Sequence, residues 1–363
     1  MDNLVVISFN NRLNHGRSPA FMRSPLTLAD LIVDCRGGRG EHDPDLISAI
    51  EEKLGNHRAV LLRNTGMVKL AEMAEWAEFV GAPLMEYKYG TGFRSPMGGG
   101  VLSVGTEPPN SPVEPHCEMA YWMFYPKRVL FGCESIPARG GETVIADNRR
   151  VTEDLLPTEA GQKILHKGIR YLRNFSDRGR PDCIPSMKHW QDNFGLESRG
   201  ELEDYCAEMN WDLLQREDGS VQVSYPEQGY EYDPVSGTDL LFTSMTRLGR
   251  CFDDWPPFDQ LPSEQRPYHL TYADGSDFND SDLATMEAVF ARYSIPITWQ
   301  PGDIAVLDNI AWTHSRPPFA LAAGEERRIG LLVSEPVDRR RIVTLARNHG
   351  GGLPTRETGN SSP

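Results

Sequence analysis

His116 and Glu118 stand two residues apart in the run Pro115-His116-Cys117-Glu118-Met119. In an extended chain residues i and i+2 point to the same face, so an imidazole and a carboxylate can converge there on one ion. One further histidine would complete a 2-His-1-carboxylate facial set, which leaves positions open on iron(II) for a bidentate co-substrate and for O₂. Taken alone the triplet carries little information, because nine histidines among 52 acidic residues produce such a spacing by chance. Its weight depends on what else the chain offers.

Three other segments offer complementary chemistry. Trp299-Gln300-Pro301-Gly302-Asp303 reads as a turn that launches the apolar run Ile304-Ala305-Val306-Leu307. His314 is then expected just beyond the end of that strand, where a sheet presents a ligand; the competing reading is a histidine that finishes a strand and bonds Asp308. Arg327 and Arg328 open a final strand, and a guanidinium there can fork onto a carboxylate with a geometry lysine cannot match, unless the pair is simply surface. Gly140-Gly141-Glu142-Thr143 begins another strand and offers the Thr143 hydroxyl as a donor, although Gly-Gly by itself is only a turn. Tyr121, Trp122 and Phe124 follow the His-x-Glu run and either wall a substrate pocket or belong to the core.

These residues need a scaffold. Helical periodicity is visible over 45–54, 69–80, 201–208 and 282–293, the last with Leu283, Met286, Val289, Phe290 and Tyr293 on one stripe behind a Ser281 cap. Strands are expected at 59–63, 128–131, 143–146, 169–172, 221–224, 240–242, 304–307 and 329–333. Many short strands parted by Gly and Pro imply a sandwich or barrel dressed with helices, an α+β fold. The polar stretch 174–194 is long for a loop in a compact domain and is a candidate lid, with Trp190 and Phe194 as possible packing anchors. No repeat or Gly/Ser linker divides the chain, so one domain over 1–348 is expected, with 1–25 a peripheral arm and 349–363 a disordered tail.

Bulk properties exclude several classes. A net charge of −15 repels polyanions, so nucleic acid is not expected as a partner; the Arg339-Arg340-Arg341 run reads as solvated. Six scattered cysteines without a CxxC pair read as free thiols in a reducing compartment. The first residues lack a signal-peptide pattern, and no segment approaches the roughly 18 apolar residues of a membrane span, so a cytoplasmic protein is expected.

From about residue 59 to 336 the chain resembles the taurine dioxygenase (TauD/TfdA-like) family of iron(II)/2-oxoglutarate enzymes, most closely its syringomycin-hydroxylase-like (SyrP-like) branch. The stretch that carries the resemblance runs through Thr106-Glu107-Pro108-Pro109, His116-Cys117-Glu118-Met119-Ala120-Tyr121, Pro126, Phe131, Cys133, Pro137, Gly140-Gly141-Glu142-Thr143 and Asp147-Asn148-Arg149, followed by His314 and the arginine pair. It implies a distorted double-stranded β-helix, or jelly roll, with flanking helices. It makes His116, Glu118 and His314 the iron(II) ligands, with 2-oxoglutarate and O₂ as co-substrates. Thr143 and Arg328 are then the partners of the 2-oxoglutarate carboxylate remote from the metal. Arg327 is the alternative, because the second arginine of such a pair usually takes that role and extra residues within 321–325 separate His314 from the pair here.

The implied activity oxidises an unactivated C–H bond, most simply by hydroxylation, in a small amino acid or amino-acid-derived metabolite of specialised metabolism. Desaturation, ring closure, or hydroxylation of a carrier-protein-tethered aminoacyl group are the alternatives. A non-catalytic jelly-roll metal-binding protein is the rival from another class. An acidic carrier would need a local basic surface, for which Arg173, Arg178 and Arg180 are candidates. Three departures from the family pattern bear on substrate. Several members carry a further arginine four residues after the one that meets 2-oxoglutarate, where this chain has Leu332. Ser315 replaces the usual glycine after the distal histidine. Glu118 occupies the place where related halogenases have a small residue, which disfavours halogenation.

Overall fold

The computed structural model describes residues 26–36, 43–88, 90, 94–105, 107–185 and 188–339. The expected arm over 1–25 and the tail over 349–363 lie outside the described residues, as do Arg340 and Arg341.

In Ala59–Arg63 (β2) and Ile304–Asp308 (β15) every residue but the last is buried, so both strands must be covered on two faces. They lie inside a seven-stranded sheet. Its order is β1 (Ile32–Asp34), β2, β15, β6 (Phe124–Ser135), β17 (Arg328–Asp338), β4 (Val101–Ser103) and β3 (Pro96–Gly98). Only β1 and β2 pair in parallel. Side-chain alternation assigns each residue to a layer. Leu61, Val129, Phe131, Leu307 and Leu331 face a four-stranded antiparallel sheet ordered β14 (Ser294–Ile297), β7 (Thr143–Asp147), β16 (Trp312–Arg316) and β5 (Val113–His116), and pack there on Ile145, Ile295, Ile297 and Trp312. Their neighbours Val60, Leu62, Leu130, Val306 and Leu332 face the other way, onto Leu46 and Ile50 of the helix Pro44–His57 and Met73 and Trp76 of the helix Met73–Phe79. A larger and a smaller antiparallel sheet packed face to face, with helices on the outer face, is the expected distorted double-stranded β-helix. Truncating a fully buried residue between the layers, such as Leu61, costs roughly 2–5 kcal/mol.

Between β7 and β14 the chain builds a second layered unit. It contains the sheet β13 (Tyr268–Tyr272), β8 (Ile169–Phe175), β10 (Val221–Glu227) and β9 (Asp212–Gln215), the hairpin β11 (Tyr230–Asp233) and β12 (Thr238–Leu241), and several helices. Its core is aromatic, with Trp211 stacked on Tyr225 at 4.2 Å, and it reaches the sandwich through Tyr121 and Trp122. Two of its helices, Asn148–Leu155 and Glu159–Lys167, went unread in the sequence although each has a cap: Asp147 accepts from the Arg149 N–H, and Thr158 from that of Gly161. Each is about two turns long and buries one face, with Val151 and Leu155 in the first and Ala160 and Ile164 in the second. The helix Asp280–Tyr293 is capped by Asn279, whose side chain accepts from the Asp282 N–H at 2.8 Å, and not by Ser281.

The 174–194 stretch is better anchored than a free lid. Ser176 bridges to His189, and Trp190 and Phe194 of the helix Trp190–Phe194 are buried in the aromatic core; residues 186 and 187 lie outside the described residues. The basic surface considered for a carrier is reduced but still includes the exposed Arg178 and Arg180. Arg173 is fully buried, Arg178 is paired with Asp192 and Glu197, and Arg180 donates to the Glu217 carbonyl. Among the described residues no helix is long and apolar enough to cross a membrane.

Candidate active site

β5 and β16 pair so that His116 lies opposite His314, with ring centroids 4.0 Å apart. His314 therefore sits within its own strand, not just beyond the end of the preceding one. The chain reverses first: the Asp308 carboxylate accepts from the Ile310 and Ala311 N–H groups, each at 3.2 Å, and turns β15 into β16. The other Asp308 oxygen is held by Arg58, so Asp308 is not the partner of His314.

Glu118 lies past the end of β5, in a turn where Met119 has φ +58°. Its backbone is fixed by Asn309, fully buried, whose Oδ1 accepts from the Glu118 N–H at 2.7 Å and whose Nδ2 donates to the Glu118 and Pro126 carbonyls, each at 2.9 Å. The turn that launches β16 thus also positions the carboxylate. Glu118 Oε2 comes to 3.6 Å from His314 Nε2 and 4.0 Å from His116 Nε2, and one potential ligand atom from each residue lies within 4.8 Å of the others.

The donor chemistry fits a ferrous ion. His116 Nδ1 lies 2.9 Å from the Glu114 carbonyl, which assigns that nitrogen the proton and leaves the Nε2 lone pair facing the centre. Burial and the adjacent His314 push the His116 pKa down to about 3, so the ring is neutral and available to a metal. Burial opposes ionisation of Glu118, but the Arg94 guanidinium, followed by His314, outweighs it and holds the carboxyl well below its usual range. Two imidazole nitrogens and one carboxylate oxygen are the ligand set of non-haem iron(II) oxygenases.

At the other end of the same cavity stand Arg327 and Thr143. Arg327 donates through Nε to the Gly141 carbonyl at 2.7 Å and through Nη2 to Thr143 Oγ1 at 3.2 Å, and Trp299 Nε1 donates to the same hydroxyl oxygen at 3.1 Å. Gly141 has φ +80°, and a Cβ there would stand 3.3 Å from Arg327 Cδ, so glycine serves both the turn and the arginine's close approach. Burial and the nearby Arg316 lower the Arg327 pKa to about 10, which still leaves it cationic at neutral pH.

Arg328 does not share this place. Its side chain is 43% exposed and its Nε donates to Glu134 at 3.0 Å. The cause is the alternation of β17: Ile329 and Leu331 face between the sheets, so Arg328 points outward and Arg327 inward, while the extra residue of the bulge lies on the β6 side, between Ser135 opposite Arg328 and Cys133 opposite Ile329. The position four residues beyond the inward arginine is consequently Leu331, buried between the sheets, while Leu332 faces the helices; neither is polar.

The three aromatics separate as well. Tyr121 lines the cavity, with its hydroxyl 3.4 Å from that of Tyr87. Trp122 and Phe124 instead line a neighbouring apolar groove with Met85, Met119 and Pro336, and Trp122 packs edge-on against Trp211. Several lining residues went unread. Arg316, buried and donating to the carbonyls of Glu107, Pro108 and Ser111, was legible, since it follows His314 by two along one strand. Tyr87 and Arg94 come from irregular backbone that shows no period.

A jelly roll with a His-Glu-His cluster at one end of a cavity and an Arg-Thr pair at the other defines a non-haem iron oxygenase that takes an oxo-acid co-substrate. The chain belongs to the taurine catabolism dioxygenase TauD, TfdA family, whose model matches residues 37–333, and is a 2-oxoglutarate-dependent dioxygenase that uses Fe(II), 2-oxoglutarate and O₂. It is 26% identical over 292 residues to the dapdiamide synthesis protein DdaC of Enterobacter agglomerans, covering 79% of this chain and 85% of that protein. It is 25% identical over 273 residues to a clavaminate synthase-like protein of Arabidopsis thaliana, covering 74% and 80% of the two chains. Among solved structures, PvcB of Pseudomonas aeruginosa aligns over 86% of this chain and 90% of its own, with 14% identity and a TM-score of 0.47.

Proposed function

We propose that His116, Glu118 and His314 hold the iron, that Arg327 with Thr143 seats the remote carboxylate of 2-oxoglutarate, and that the enzyme hydroxylates a C–H bond of a small amino acid or amino-acid-derived metabolite. The observation that carries this reading is the convergence of Glu118 Oε2 with two imidazole Nε2 atoms in a cavity that also presents the half-buried guanidinium of Arg327. Iron(II), once bound with 2-oxoglutarate and O₂, supplies the oxidising chemistry. The chain supplies placement: Arg327 and Thr143 set the direction in which the co-substrate enters, and Phe131, 4.9 Å from the His314 ring, fills the apolar side between the two ends.

The remaining wall bears hydroxyl groups from Tyr87, Tyr121, Ser244, Tyr268 and Ser315, which suits a polar substrate that accepts and donates hydrogen bonds. DdaC is by its name a synthesis protein, which supports a biosynthetic role here. The net charge of −15, with Arg173 buried and Arg178 paired to Asp192 and Glu197, favours a free small molecule over one bound to an acidic carrier.

The test is a succinate assay with iron(II), 2-oxoglutarate and O₂ across a panel of free amino acids and their derivatives. Stimulation of succinate formation by one or a few of them, matched by a hydroxylated product, is expected. A panel in which no amino acid or derivative raises succinate above the uncoupled rate would overturn the substrate class.

A further inference from the structure

Glutamate in a facial triad raises a problem that aspartate does not. Its extra methylene lets the carboxylate rotate, and a carboxylate that presents both oxygens to a metal takes a position the co-substrate needs. The backbone bonds from Asn309 fix where Glu118 starts but not how its carboxylate turns. Two side chains from outside the strands that carry His116 and His314 address that rotation. Tyr87 donates its hydroxyl to Glu118 Oε1 at 2.9 Å, and Arg94 Nη2 lies 3.2 Å from each carboxylate oxygen.

The two oxygens are consequently unequal. Oε1 carries both donors, whereas Oε2 shares only Arg94 and faces the two imidazoles. The donors are themselves held. The Met85 N–H bonds the Val333 carbonyl at 2.9 Å and ties the Tyr87 segment to β17; Arg94 donates to the Ser103 carbonyl at 3.3 Å and lies over the Tyr87 ring at 4.7 Å. Arg94 is buried among these groups, with its side chain only 16% exposed.

We infer that Tyr87 and Arg94 are positioning residues that fix Glu118 as a one-oxygen ligand and so keep the neighbouring metal position open for 2-oxoglutarate. This rests on the assignment of Glu118 as an iron ligand. Tyr87 also connects the clamp to the substrate side through the Tyr121 hydroxyl at 3.4 Å, so a molecule that engages Tyr121 touches the same network that orients the ligand.

The experiment compares wild type with Tyr87→Phe, Arg94→Met and Arg94→Lys. Each is loaded anaerobically with iron(II) to saturation and titrated with 2-oxoglutarate by the visible charge-transfer absorbance of the chelate, with thermal melting of the metal-free proteins as a control. Tyr87→Phe and Arg94→Met are expected to melt like wild type, to bind 2-oxoglutarate about 10-fold or more weakly, and to show a shifted or weakened band; Arg94→Lys is expected to recover part of the loss. If Arg94→Met melts early, the isosteric Tyr87→Phe decides. Variants that bind iron and 2-oxoglutarate as wild type does overturn the inference alone. A wild-type protein with no such band overturns the iron-site reading and the clamp together.

Discussion

Two parts of the cavity wall are built in different ways. The part that meets metal and co-substrate rests on regular strands: Thr143 opens β7 and His314 sits within β16, both held by ladder hydrogen bonds, and Arg327 immediately precedes β17. The rest of the wall comes mostly from irregular backbone, with Tyr87 and Arg94 from segments before β3, Tyr121 from the turn after β5 and Ser244 from the inserted unit, which also contributes Tyr268 at the start of β13. The difference teaches where invariance and variation can coexist. Chemistry shared by a family needs ångström-level placement, which strands supply, whereas substrate choice can change when loops change without disturbing the sheets.

The largest expected effect tests the strand-built part. His314→Ala or His116→Ala leaves two protein ligands and should abolish iron-dependent 2-oxoglutarate absorbance and succinate formation while the protein stays folded. Next comes the contrast between adjacent arginines. Arg327→Ala removes a half-buried, charge-assisted contact worth about 3 kcal/mol and should raise the Kd of 2-oxoglutarate on the order of 100-fold. Arg328→Ala, at an exposed pair, should leave that Kd unchanged and shift stability by less than about 0.5 kcal/mol. Equal effects from the two would erase the distinction between inward and outward positions.

Asn309→Ala should cost about 1–3 kcal/mol in thermal or denaturant unfolding, because the Glu118 N–H and the Glu118 and Pro126 carbonyls lose a buried partner, and should weaken iron binding in parallel. The smallest effect belongs to the loop-built part. Tyr121→Phe should leave the 2-oxoglutarate titration unchanged and alter only substrate-stimulated succinate formation, a split between co-substrate and substrate that steady-state kinetics resolves.

Much of this was legible in the chain. The two-residue spacing of His116 and Glu118, the Gly-Gly turn before Thr143 and the apolar run ahead of His314 each signal local geometry, and their combination named the fold. What stayed illegible has physical causes. Arg327 and Arg328 are chemically identical neighbours, and which of them faces inward follows from the face of the final strand that is covered, fixed by the packing of Ile329 and Leu331 against the other sheet. Trp122 and Phe124 follow Tyr121 closely in sequence, yet the turn at Met119 and the departure into β6 carry them to a different groove. Tyr87 and Arg94 reach Glu118 across 31 and 24 residues from backbone without a repeat, so no periodicity could connect them to it.

Anomalous X-ray scattering from crystals loaded with iron(II) without oxygen tests the central claim most directly. The account expects one strong peak per chain bounded by His116 Nε2, Glu118 Oε2 and His314 Nε2, on the side of the cavity away from Arg327. A peak at any other cluster, or none at this one in protein that still turns over 2-oxoglutarate, would contradict it.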